Sequence, residues 1–369
     1  MDITIRNFFR LLRAGIFDTE EQIEPMSAWK WRRVYQYSLM HDVAALTFDG
    51  INKCNDQFFM QLPDDLLDTW KETTAKIERE NQKRDAVMVD VYGRLSKLQS
   101  RPILMKGQRL SMLYGQPSHR YSKNIEIFFP YETQGEKADK WATENCDAAY
   151  GEDGNKFVYS KGEQCIEHYR QLHTLTNKVL NHRLQTIIER EFRESEPSYI
   201  EIEGERIEVA SNTLEVLLIL LSVARHVLNN GILLKHIADL GVFLRVSGDK
   251  IDFVKLQGWI ARLHMKRIAL LAGMLLIKIF NFTIDEIPFV MPGSELGIQR
   301  IMNELFQLKN EHSQDWYFQQ GKDIFVHASN SSAMMWHVRQ SAQHFSYYPS
   351  ESITNFFASI AHSLSHIEE

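Results

Sequence analysis

Two carboxylates two positions apart on a strand can share a divalent cation, because alternate side chains leave the same face. The stretch SKNIEIFFP, residues 122–130, falls one oxygen short of that arrangement. Ile125, Ile127 and Phe129 alternate with Asn124, Glu126 and Phe128, the rhythm of a half-buried strand. The other face therefore carries an amide at 124 and a carboxylate at 126. An amide oxygen can ligate a hard cation, but it brings no charge.

The remaining chemistry-bearing groups point less sharply. Lys106-Gly107 closes the apolar run RPILMKG, and by itself that is an ordinary strand-to-helix turn. His168, His173 and His182 show no spacing that converges on a ligand set, so packing or surface roles are expected. His362 and His366 stand four apart with Glu369 beyond, as a metal pair on a helix can. No glutamate directly follows His362, and a terminal surface helix is the plainer reading. KWRRVYQY interleaves cations and aromatics, a pattern of nucleic-acid surfaces, but one amphipathic helix accounts for it equally. A net charge of -6 argues against nonspecific binding to DNA or RNA.

Three cysteines, Cys54, Cys146 and Cys165, are odd in number and lack metal-type spacing. Free thiols in a reducing compartment follow, so the expected location is cytoplasmic. The amphipathic start, MDITIRNFFRLLRAGIF, lacks the features of a signal peptide. The most apolar runs carry Glu215 and Arg225, or break at Lys278, before reaching the ~20 residues of a bilayer span. They read as core helices, and no membrane association is expected.

The elements that must position these groups follow from periodicity. Residues 1–100 read as helical, with Ser27 a candidate cap and a long polar helix from Asp64. From Arg101 the texture becomes strand (RPILMKG), short helix (QRLSMLYG), strand (NIEIFFP), helix (GEKADKWATENC) and a three-strand meander to about 170. SYIEIEGERIEV, 198–209, reads as a hairpin turning at Glu203-Gly204. From Ser211 the chain is almost all helix. The fold class expected is therefore α+β. A small mixed-sheet core over 101–210 lies between an N-terminal helical region, 1–100, and a C-terminal helical bundle, 211–369.

ILMKGQRLSMLYGQPSHRYSKNIEIFF resembles the core motif of an uncharacterised bacterial nucleotidyltransferase family in the DNA polymerase β-like superfamily. That pattern has a strand ending in Lys-Gly, a helix with Leu and Tyr, an Arg, and a strand reading Asp-hydrophobic-Asp. Here these positions are Lys106-Gly107, Leu110, Tyr114, Arg120, and then Asn124 and Glu126. Glu167-His168 resembles a later Glu before a His, while His226 and Asp239 match features of the family's helical half. The resemblance covers roughly residues 25–285.

It implies transfer of a nucleoside monophosphate from an NTP to a hydroxyl of an unknown small-molecule or protein acceptor. Mg²⁺ would neutralise the triphosphate. The implied ligands are Glu126, Glu167 from a neighbouring strand, and Asn124. Nucleotide contacts would come from Lys106, Gly107, Gln108, Arg109 and Arg120. Asn124 stands where the pattern has its first Asp, which weakens the implied metal site. The alternative is a catalytically inactive nucleotidyltransferase-fold protein that binds a ligand or partner. A helical scaffold with an incidental α+β insert would be favoured if the strands near 103–106 and 123–129 were not adjacent.

Overall fold

The computed structural model describes residues 2–57, 61–153, 155–229, 231–290, 297–306 and 345–354. The chain opens with α1 (Ile3–Phe17), α2 (Ala28–Met40), α3 (Ala44–Lys53) and α4 (Asp64–Lys97). α1 and α3 cross backbone to backbone. A Cβ on Gly15 would sit 1.9 Å from the Leu46 carbonyl oxygen, and one on Gly50 1.8 Å from that of Leu11. Only glycine permits this contact. The first half of α4 is tied to these helices by Leu66 and by Trp70, whose indole N–H donates to Ala44 O at 2.8 Å. Its second half lays Met88, Val91 and Leu95 on the sheet.

The middle of the chain runs β1 (Ile103–Leu104), α5 (Lys106–Ser111), β2 (Ile125–Phe128), α6 (Glu132–Asn145), β3 (Ala148–Asp153), β4 (Lys156–Lys161), β5 (Gln164–Tyr169), α7 (Lys178–Glu194), β6 (Ser198–Ile202) and β7 (Glu205–Val209). Seven strands form one mixed sheet in the order β3-β4-β5-β2-β1-β7-β6, parallel at β2–β5 and β1–β7. β1 pairs directly with β2, Ile103 opposite Phe128, so the condition for an incidental insert is not met. The hairpin turns at Glu203 and Gly204, with φ of 49° and 82°, as a two-residue turn with positive φ requires.

Two details depart from the sequence reading. β1 is two residues long, because the helix starts at Lys106 and takes Lys106-Gly107 out of the strand. Helix α7 occupies a stretch to which periodicity assigned no element; Asn177 caps it, accepting from Leu180 N.

The two sheet faces differ. Ile125, Ile127 and Ile166 join the core under α4 and α6. Phe128 points the other way, its ring 5.4 Å from that of Phe192 on α7. On that second side lie α8 (Asn212–Asn229), α9 (Leu234–Ser247), α10 (Phe253–Arg262) and α11 (Lys266–Phe280), whose apolar residues fill the larger core. α12 (Gln299–Glu304) follows, and residues 349–354 are again helical. His362, His366 and Glu369 lie outside the described residues. No described helix is long and apolar enough to cross a membrane.

Candidate active site

The parallel register of β2 and β5 sets Glu126 beside Glu167. Directly opposed residues share a face, so both carboxylates leave the sheet on the side of α7 and α8. The residues flanking them, Ile125 with Ile166 and Ile127 with His168, are fully buried on the reverse side, which fixes the direction. A one-residue slip would exchange the two sets.

The two carboxylates are treated differently. Glu167 is buried and fully engaged. Asn124 Nδ2 donates to its Oε1 at 3.2 Å, Lys156 Nζ donates to the same oxygen at 2.7 Å, and the Tyr169 hydroxyl donates to Oε2 at 2.5 Å. Burial above all, and then the carboxylates of Glu126 and Glu167, push the Tyr169 phenol well up, so it stays a donor. Glu126 is half-buried and has no hydrogen-bond or ion-pair partner for its side chain among the described residues.

Lys106 adjoins this pair through the backbone: Met105 N–H donates to Glu126 O at 2.9 Å, and α5 begins at the next residue. Its ammonium has no ion-pair partner among the described residues. A Cβ on Gly107 would meet Ser122 Oγ at 3.4 Å and Asn124 O at 3.5 Å, ordinary contacts, so packing alone does not demand glycine. Gln108 is buried with both side-chain polar atoms unpartnered.

The two arginines of the motif face inward. Arg120 donates from Nε and Nη2 to both oxygens of Asp239 at 2.8 and 2.7 Å, and from Nη1 to Gly107 O and Ser122 Oγ. Tyr114 also donates to Asp239, at 2.8 Å. Arg109 donates to Ala210 O and Asn212 Oδ1 and lies 3.3 Å from Glu215. Both guanidiniums are buried; they tie the α5 region to α8 and α9 and present no open fork for a phosphate.

The structure thus brings Asn124, Glu126, Glu167 and Lys106 to one region and commits Arg109 and Arg120 to ion pairs. Four neighbours were not foreseen. Lys156 and Tyr169 are opposed across β4–β5, and Arg225 and His236 come from α8 and α9. The alternation in KFVYSK and QCIEHY puts Lys156 and Glu167 on a common face once the strands are paired, but only the register shows which residues meet. His168, by contrast, is fully buried on the reverse face, with Nδ1 on Asp139 at 2.8 Å and Nε2 on the Tyr159 hydroxyl at 2.9 Å. It is a satisfied core residue. Among the described residues no three His, Cys, Asp or Glu side chains form a cluster fit to hold a metal.

Residues 27–281 match the sequence model of a family described as uncharacterised nucleotidyltransferase. No curated protein matches. Among solved structures, an antigenic nucleotidyltransferase-like protein from Paracoccidioides brasiliensis aligns at 12% identity with a TM-score of 0.35, covering 54% of this chain and 93% of that one. A likeness that weak carries no argument.

Proposed function

Since the chain belongs to the uncharacterised nucleotidyltransferase family, we propose that it transfers a nucleoside monophosphate from an NTP to an acceptor hydroxyl, at the sheet face bearing Glu126 and Glu167. The observation that carries this reading is their register on adjacent parallel strands, with Glu126 unpartnered and Lys106 beside it. Such a pair, with a free cation alongside, suits a polyanionic substrate whose reacting phosphorus gains charge in the transition state.

The donor set fits a hard divalent cation on chemical grounds. Glu126, Glu167 and the Oδ1 of Asn124 offer oxygens from one face, and Asn124 spends only its Nδ2 on Glu167. These three residues would hold Mg²⁺, which would neutralise the triphosphate and polarise the phosphorus. With an amide at 124 and Lys156 already on Glu167, the site has less negative charge than three free carboxylates would supply.

The chain's own groups do the rest. Lys106 holds the phosphate tail as a point charge. The acceptor oxygen attacks the α-phosphorus, the bond to the bridging oxygen breaks, and pyrophosphate leaves. Glu126, whose carboxylate has no protein partner among the described residues, would offer one oxygen to the cation and take the hydroxyl proton on the other. Lys156 and Tyr169 fix the orientation of Glu167. Arg120 and Arg109 act at one remove, by holding α5 and its flanking loop against α8 and α9.

The test is transfer of label from each α-labelled NTP, with Mg²⁺, into protein and small-molecule acceptors. Binding of at least one NTP, and product lost in Glu126→Gln, is the expected result. A protein that binds no nucleotide with or without Mg²⁺ would not be a nucleotidyltransferase. One that binds NTP but gives no product would be the ligand-binding form of the fold.

A further inference from the structure

Helices α8 and α9 bring His226 and His236 face to face, their ring centroids 4.1 Å apart and their planes at 27°. Both Nδ1 atoms are buried without a partner. Neither Nε2 has a protein partner among the described residues, and neither is among the buried unpaired atoms, so both reach solvent. An orphaned lone pair is less costly to bury than an orphaned N–H. The neutral rings therefore carry their proton on Nε2, and each presents an N–H donor to solvent.

The surroundings are cationic. Burial comes first in lowering His226 to about 4, and Arg225, Lys106 and Lys235 add to it, with Asp42 opposing. His236 is held well below its usual range by burial, then by His226, Lys235, Lys106 and Arg120. Lys235 is paired with Asp42 at 2.7 Å and Arg120 with Asp239. Lys106 and Arg225 have no ion-pair partner among the described residues. Among those residues no third His, Cys, Asp or Glu joins the pair to complete a metal site.

We propose that His226 and His236, with Lys106 and Arg225, form a phosphate-binding subsite. Two imidazole N–H groups, an ammonium and a guanidinium supply more donors than a hydroxyl or a carboxylate could use. A phosphate dianion has three terminal oxygens to receive them. The inference rests on the proposed transferase reading and deepens it. The phosphate belongs either to the NTP tail or to a phosphorylated acceptor, and both present the same chemistry.

The experiment titrates the protein with inorganic phosphate and with a simple phosphate monoester, following the thermal midpoint and the histidine side-chain resonances by ¹⁵N-edited NMR. Expected are a rise in midpoint and shifts of the His226 and His236 resonances. His236→Asn and Arg225→Gln should each weaken binding at least about 10-fold, as loss of a charge-assisted donor does. Should a variant unfold, the resonance shifts in the unaltered protein decide alone. Repeating the titration with saturating NTP separates the sources: phosphate displaced by NTP assigns the subsite to the NTP tail, and phosphate bound beside NTP assigns it to the acceptor. Glu126→Gln keeps phosphate binding while losing transfer, so failure of the transferase reading would look different. Resonances of both histidines that do not move at saturating phosphate would overturn the proposal.

Discussion

Glu126 and Glu167 stand side by side on parallel strands, yet among the described residues only Glu167 carries a counter-cation, with Lys156 Nζ at 2.7 Å. On the proposed reading both would face the cation, and the unpartnered Glu126 is the reactive member. Glu126→Gln is therefore expected to lower nucleotidyl transfer by at least about 100-fold, beyond what loss of a supporting contact costs. Its unfolding midpoint in urea should match that of the unaltered protein, because no contact is lost. Parallel activity and urea measurements check both halves.

Asn124→Asp tests the amide position. The replacement exchanges an N–H donor 3.2 Å from Glu167 Oε1 for a second anion. Two carboxylates that close disfavour each other's ionisation. Without metal, stability should fall by about 1.5–3 kcal/mol, the cost of a lost hydrogen bond to a charged acceptor. With Mn²⁺ the order should reverse, and metal affinity should rise about 10-fold or more. Thermal shifts with and without Mn²⁺, together with Mn²⁺ titration by electron paramagnetic resonance, read both. Equal shifts in the two proteins would count against a shared cation.

Arg120 and Asp239 join the loop before β2 to α9, both almost fully buried. Removing one partner leaves an uncompensated buried charge. Asp239→Ala should cost about 3–5 kcal/mol, and the double replacement Arg120→Met with Asp239→Leu should recover most of it. Chemical denaturation of the unaltered protein and the two variants measures the difference. If Arg120 instead served phosphate, Asp239→Ala would weaken nucleotide binding with little loss of stability.

His41 is buried between Leu305 O, 2.9 Å from its Nε2, and the N–H of Leu234, which donates to Nδ1 at 3.3 Å. Burial lowers its pKa to about 4 from 6.5. The unfolded chain then binds the proton more readily than the folded one below pH 6.5. Stability is full above that value and falls as pH drops towards 4. Through this residue alone the loss should reach about 2 kcal/mol at pH 5. Urea denaturation at pH 7.5 and 5.0 should show the loss, and His41→Gln should reduce the difference.

Much of this was legible beforehand. The alternation through Ile125, Ile127 and Phe129 marks β2, and Glu203-Gly204 marks the hairpin, since each depends on neighbours in sequence. The joining of β1 to β7 did not show, and that of β2 to β5 came only as an implication of the resemblance, because parallel pairing across 105 and 41 residues leaves no local trace. For the same reason Lys156 went unnoticed as the partner of Glu167. The setting of the arginines was not legible: a guanidinium near a Lys-Gly turn suggests phosphate, and nothing in the local sequence says that Arg120 pairs with Asp239 and Arg109 with Glu215. The stack of His226 on His236 depends on how α8 meets α9, a matter of packing.

Helix α4 runs 34 residues, about 50 Å, without a break. Trp70 anchors one end to the helical layer, Met88 and Leu95 grip the sheet at the other, and between them Asn81 Nδ2 holds the carbonyls of Ser118 and Arg120 at 2.7 and 3.0 Å. These three attachments share a single phase around the axis. One residue inserted between Trp70 and Met88 would rotate the distal end by about 100° and advance it by 1.5 Å. Span and angular setting are therefore inherited together, and the carboxylate pair depends on a yardstick that supplies none of its atoms.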